Sequence, residues 1–141
     1  MSESKDHKVL YTARVRTQGN RDGGVSRSAE GNLELTHIPP GTPGKGTNPE
    51  QLLAAGWAAC FQAAMAHVAR EMNVTLPAGT AIDAEVDLRL GGDGYSLGAR
   101  FAVSVPGVPR HVGQAIMDMA HQMCPYSKAL RSGITLELKL V

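Results

Sequence analysis

Apolar and polar positions alternate from Lys8 to Arg16. Val9, Tyr11, Ala13 and Val15 interleave with Lys8, Leu10, Thr12, Arg14 and Arg16, and this period of two predicts a first strand. Residues 1–7 ahead of it are polar and read as a frayed tail. The turn Gly19-Asn20-Arg21-Asp22-Gly23-Gly24 leads into a second strand over about 25–30. Gly31-Asn32 then reverses the chain into a third strand over 33–37. Residues 38–46 carry Pro39, Pro40, Gly41, Pro43, Gly44 and Gly46, so they form neither helix nor sheet interior. A loop of that length in a compact domain is often functional.

A helix is predicted from Asn48 or Thr47 as cap, with Pro49 in its first turn and Glu50 or Gln51 completing a capping box. It runs to about Met72, with Asn73 near its end. From Leu52 to Ala69 nearly every residue is apolar, and many are Ala or Gly. A helix apolar all round is expected to be buried all round. A chain this short cannot enclose one helix completely, so part of it is expected to pack on a second copy.

Alternation returns at 82–90, where Ile82, Ala84, Val86, Leu88 and Leu90 interleave with charged residues. Gly91-Gly92-Asp93-Gly94 is a hairpin turn, and Leu97 to Val105 form the partner strand. Pro109 starts a second helix with Val112, Ala115, Ile116, Met119, Ala120 and Met123 on one face, disrupted by Pro125. Ile134, Leu136, Leu138 and Leu140 alternate in a closing strand. The order, three strands, helix, two strands, helix, strand, defines an α+β fold of mostly antiparallel sheet around a long buried central helix. Residues 1–141 show no internal repeat and read as one domain.

Composition narrows the function. The net charge is +1, from 14 basic and 13 acidic residues, which lacks the basic excess of a nucleic-acid binder. The apolar run 52–61 is too short to cross a bilayer, and Gln62 and His67 interrupt its continuation. No membrane association is expected. The polar start carries no apolar signal segment, so a cytoplasmic location is expected. There a stable structural disulfide is out of place, and the two cysteines are either inert core residues or redox-active.

Cys60 lies mid-helix, about three turns past the start, where the helix dipole has faded. Apolar burial there raises a thiol's pKa, so a reactive Cys60 needs a cation. Nothing basic lies within one turn of it on its own helix. Arg21, in the Gly-rich turn, is the candidate, since a guanidinium keeps its charge when desolvated; an arginine in a turn is more commonly just solvated. Glu50 is either a capping carboxylate or a clamp for that arginine. It stands ten residues from Cys60, about 15 Å along a helix axis. Sharing a site would require a bend near Gly56 or a Glu50 from a partner chain. Cys124, in Cys124-Pro125-Tyr126-Ser127, sits either at a helix C-terminus or at an N-cap, or is a small buried hydrophobe. His67 lies about 10 Å from Cys60 along the helix, too far for an ion pair. His121, one turn before Cys124, is read as structural. No closely spaced ligand pair suggests zinc, and no Gly-rich phosphate loop suggests a nucleotide.

The segments Lys8-Val9-Leu10-Tyr11-Thr12-Ala13, Gly19-Asn20-Arg21-Asp22-Gly23, Gly46-Thr47-Asn48-Pro49-Glu50-Gln51-Leu52, Ala58-Ala59-Cys60-Phe61 and Cys124-Pro125-Tyr126-Ser127 occur in this order over nearly the whole chain. Together they resemble the organic hydroperoxide resistance proteins, within the superfamily that also holds osmotically induced protein C. Tyr126 favours the hydroperoxide-resistance branch. Trp57-Ala58 departs from the tyrosine and serine common there, and Lys128-Ala129-Leu130 replaces a more polar segment. The resemblance implies a thiol peroxidase that acts on alkyl or fatty-acid hydroperoxides. Cys60 would be the attacking thiolate, Arg21 its cation and Glu50 the clamp on Arg21. Cys124 would resolve the Cys60 sulfenic acid to a disulfide. It also implies an intertwined homodimer, no metal, haem or flavin, and re-reduction by dihydrolipoamide or a lipoylated protein. An osmotically induced type of peroxidase, and a non-catalytic binding domain with filler cysteines, are the competing readings.

Overall fold

The computed structural model describes residues 7–141. Apart from His7, the polar tail expected over residues 1–7 lies outside the described residues. The chain forms two compact units, one running through Pro49 and the other from Glu50 to Val141.

The first unit is an antiparallel ribbon of β1 (Val15–Gln18), β2 (Val25–Ser28) and β3 (Glu34–Thr36), in that spatial order. Strand β1 begins later than the alternation predicts. A strand needs a partner for its backbone groups, and β2 offers only the register Val15↔Ser28 to Gln18↔Val25. The alternating residues ahead of it form no strand, and Val9, Leu10 and Tyr11 are 78%, 86% and 68% exposed. Inside the ribbon Ser26 and His37 are buried, and the Ser26 hydroxyl bridges Thr17 Oγ1 and His37 Nε2, each at 2.7 Å.

The second unit holds α1 (Pro49–Glu71), β4 (Ala81–Gly91), β5 (Gly94–Ser104), α2 (Arg110–Met123), α3 (Pro125–Leu130) and β6 (Leu136–Leu140). Helix α1 ends as its sequence predicts. Asn73 takes φ 59, and the N–H groups of Asn73 and Val74 return to the carbonyls of Arg70 and Ala69, a Schellman closure that satisfies two orphan carbonyls. The β4–β5 hairpin pairs from Ala81↔Ser104 to Gly91↔Gly94, leaving Gly92-Asp93 as its turn. Strand β6 instead pairs with β5 in parallel, Ala99↔Leu136 to Val103↔Leu140. Periodicity alone carries no strand direction, so the parallel edge is new.

One side of α1 meets β5 and α2. Trp57, Phe61, Met65 and Val68 join Phe101, Val103, Ile116 and Met117 in a fully buried cluster. Phe101 receives Trp57 and Phe61 edge-on, with centroids at 5.2 and 5.5 Å, a favoured aromatic geometry. Within the single chain α1 is buried on this side, and Ala55, Ala59, Ala63 and His67 are exposed on another face. One sheet and one helix cover only one side of a cylinder.

The length expectation for α1 needs correcting. Gln62 and His67 do not dilute its mean hydropathy enough, and by length and composition it could cross a membrane. Its Trp57–Phe61–Met65–Val68 face is nonetheless packed into the protein core.

Candidate active site

Helix α1 carries Cys60 to the edge of the core, half-buried beside the fully buried Phe61. Cys124 arrives from α2, whose apolar face of Ile116, Met117 and Ala120 is buried in the same cluster. Pro125 cannot continue α2, because it has no N–H to give and its ring clashes with the preceding turn. It starts α3 instead, at a position where a missing N–H costs nothing. Cys124 is thus both the C-cap of α2 and the N-cap of α3. Its N–H donates to the Ala120 carbonyl at 2.8 Å, and its own carbonyl accepts from Lys128 N–H at 2.9 Å.

This junction brings the two thiols together. Cys124 Sγ donates to Cys60 Sγ at 3.5 Å, and both cysteines are free. A disulfide has sulfurs about 2.05 Å apart, so closure requires a local approach of about 1.5 Å. Burial pushes the Cys60 thiol above its ordinary value. The backbone N–H of Tyr126, in the first turn of α3, opposes this, while the neighbouring Cys124 adds to the rise.

Two further contacts tie α1 to α3. The indole N–H of Trp57 donates to Ser127 Oγ at 2.9 Å, with both side chains fully buried. Gly56 faces the tip of Tyr126, where a Cβ would stand 3.0 Å from the phenol oxygen. Beside them an apolar recess of about 370 Å³ is lined by Leu53, Pro125, Tyr126, Ala129 and Leu130.

The other two predicted residues sit as follows. Arg21 lies half-buried in the β1–β2 turn of the first unit. Gly24 N–H closes that turn on the Asn20 carbonyl, and Asn20 Oδ1 accepts from Asp22 N–H, each at 2.8 Å. A Cβ on Gly24 would collide with the Asn20 backbone, so only glycine holds this turn, and with it the backbone of Arg21, in shape. Glu50 occupies the first turn of α1, half-buried, on the same unbroken helix as Cys60. Their separation along that helix is about 15 Å, so α1 does not itself fold Glu50 back onto the thiol.

His121 stacks near Phe61, with ring centroids 6.3 Å apart. Burial lowers its pKa, and Arg131 lowers it further against the pull of Asp118. Among the described residues no group of three or more His, Cys, Asp or Glu side chains is placed to hold a metal ion. The sequence reading missed Trp57 and Ser127 as partners. The available signal was a shared spacing: Trp57 precedes Cys60, and Ser127 follows Cys124, by the same three positions.

A sequence model of OsmC-like proteins matches residues 42–139. The organic hydroperoxide resistance protein of Xanthomonas axonopodis pv. citri is 39% identical over 136 residues, spanning 94% of this chain and 96% of the relative. The organic hydroperoxide resistance protein OhrB of Bacillus subtilis is 37% identical over 137 residues, spanning 94% of this chain and 98% of its own. The crystal structure of OhrB superposes with a TM-score of 0.87 at 36% identity, covering 94% of this chain and all of the other.

Proposed function

The chain belongs to the OsmC-like family, among the organic hydroperoxide resistance proteins, and on that footing we propose that it is a cysteine-based peroxidase for organic hydroperoxides. The observation that carries this reading is the contact between two free thiols, 3.5 Å apart, on different elements of one unit.

In this mechanism the Cys60 thiolate attacks the distal oxygen of a hydroperoxide ROOH. The O–O bond breaks, the alkoxide takes a proton and leaves as ROH, and Cys60 becomes a sulfenic acid. The Cys124 sulfur then attacks the Cys60 sulfur and expels water, forming the disulfide. A dithiol returns both cysteines to thiols by two exchanges, and a dihydrolipoyl group is the reductant we assign. The apolar recess at Leu53, Tyr126 and Leu130 suits alkyl and fatty-acid hydroperoxides better than hydrogen peroxide.

A thiol whose pKa is raised by burial needs help to ionise. We assign that help to Arg21 as the cation, oriented by Glu50. The separation of Glu50 from Cys60 along α1 supports a homodimer in which copies complete each other's sites. The exposed stripe of Ala55, Ala59 and Ala63 supports close packing of α1 on a second copy. The matches to the Xanthomonas relative and to the OhrB structure each cover 94% of this chain and so take in both units, which supports reading residues 1–141 as one domain. Two free thiols suit a reducing compartment, and we place the protein in the bacterial cytoplasm.

The test is stopped-flow consumption of cumene hydroperoxide by pre-reduced protein, against hydrogen peroxide. A preference for the organic peroxide, abolished in Cys60→Ser, supports the reading. Full turnover by Cys60→Ser overturns it.

A further inference from the structure

Cys60 and Cys124 form one of two adjacent rungs between α1 and the α2–α3 junction. The other is Trp57 Nε1 to Ser127 Oγ at 2.9 Å. Trp57 lies one turn before Cys60 on α1, and Ser127 one turn after Cys124 on α3. The rungs therefore run side by side.

Helix α3 spans only Pro125–Leu130. A helix of that length has little stability of its own, so its position depends on tertiary contacts. The indole N–H and the Ser127 hydroxyl are both fully buried. Each costs free energy unless it finds a partner, and they partner each other. The bond also has a firm base, because Trp57 is wedged edge-on against Phe101. Moving α3 away from α1 would strand two buried polar groups at once.

We propose that Trp57 and Ser127 are positioning residues whose hydrogen bond holds the Cys124 thiol against Cys60 and so sets the rate and equilibrium of disulfide closure. The kinetic half rests on the peroxidase reading, in which a hydroperoxide supplies the oxidising equivalent. The equilibrium half needs only that the two thiols can pair.

The experiment measures both. The first readout is the dithiol–disulfide equilibrium of the protein in glutathione buffers. The second is the rate of closure, relative to the rate of hydroperoxide attack, by stopped flow. Ser127→Ala and Trp57→Phe should each lower the equilibrium constant and the closure-to-attack ratio about ten-fold, the scale of one lost buried hydrogen bond. The double variant should fall no further than the lower single, because both substitutions break one bond. Ser127→Thr, which keeps the hydroxyl, should stay within about three-fold of the parent.

If Ser127→Ala fails to fold, Trp57→Phe carries the same test, since its ring still fills the place against Phe101. Equilibrium constants within two-fold of the parent in both single variants overturn the proposal. So does a Ser127→Thr loss as deep as that of Ser127→Ala, or a double variant whose loss is the product of the singles. A parent protein that consumes no hydroperoxide defeats the peroxidase reading alone, and the glutathione equilibrium still decides on the strut.

Discussion

Cys124 caps two helices at once, and from that junction its thiol reaches Cys60 at 3.5 Å. The resolving role proposed for it makes a kinetic prediction. Cys124→Ser should reduce about one equivalent of cumene hydroperoxide and then stall with Cys60 as a sulfenic acid. Further peroxide should carry that sulfur to the irreversible sulfinic and sulfonic states. Mass spectrometry with a sulfenic-acid trap reads this directly. Sustained turnover with a lipoyl reductant would remove Cys124 from the cycle.

The second prediction concerns pH. Burial raises the Cys60 thiol above its ordinary value, the Tyr126 N–H pulls against this and Cys124 adds to it. The thiolate is the reactive form. A raised pKa means that the thiolate fraction grows with pH and levels off only above that raised value. The rate of hydroperoxide attack should follow the same curve. In the proposed site Arg21 counteracts burial, so Arg21→Ala should move the midpoint to higher pH and slow attack at neutral pH. An unchanged thiolate absorbance titration would separate Arg21 from the thiol.

Much of this arrangement was legible as pattern, and the parts that were not have specific reasons. The β4–β5 hairpin shows because alternation on both sides of Gly92-Asp93 leaves one register. The end of α1 shows because Asn73 accepts the left-handed conformation that the closure needs. The alternation over residues 8–16 misleads, because pairing depends on a partner and β2 is short. The approach of Cys60 to Cys124 spans 64 positions and depends on how α2 docks on the core. No local spacing encodes that. Trp57 and Ser127 look like an ordinary core aromatic and a helix-start serine until α3 is set against α1.

A third prediction lies on the hairpin. Arg100 donates from both terminal nitrogens to the two Asp87 oxygens, at 2.7 and 2.8 Å, and from Nε to Glu85 at 2.8 Å. The Arg100 hydrogen bonds hold the Asp87 carboxyl below its ordinary value. A carboxylate whose folded pKa is depressed adds stability above its unfolded pKa of about 3.9. That stability is lost as pH falls through the folded pKa. Denaturant midpoints of the parent and Asp87→Asn should therefore differ at neutral pH and converge in acid. A gap that stays constant down to pH 2 would show that the ion pair contributes nothing beyond shape.

The last prediction follows from the closeness of Gly56 to Tyr126. In mid-helix, Gly→Ala is worth up to about 1 kcal/mol of added stability. Against this, the new Cβ would stand 3.0 Å from the Tyr126 hydroxyl, tighter than an ordinary contact. The outcome turns on whether the ring can give way. Tyr126 is 41% exposed, and the contact is at the far end of a side chain, so a shift of a few tenths of an ångström costs little. Gly56→Ala should thus be neutral to slightly stabilising in thermal denaturation. The displaced ring should change the recess shared with Leu53 and Leu130 and alter KM for long-chain hydroperoxides more than kcat. A loss of stability above about 1 kcal/mol, on the scale of overpacking, would mean instead that Tyr126 is locked and that glycine is required at 56 for packing.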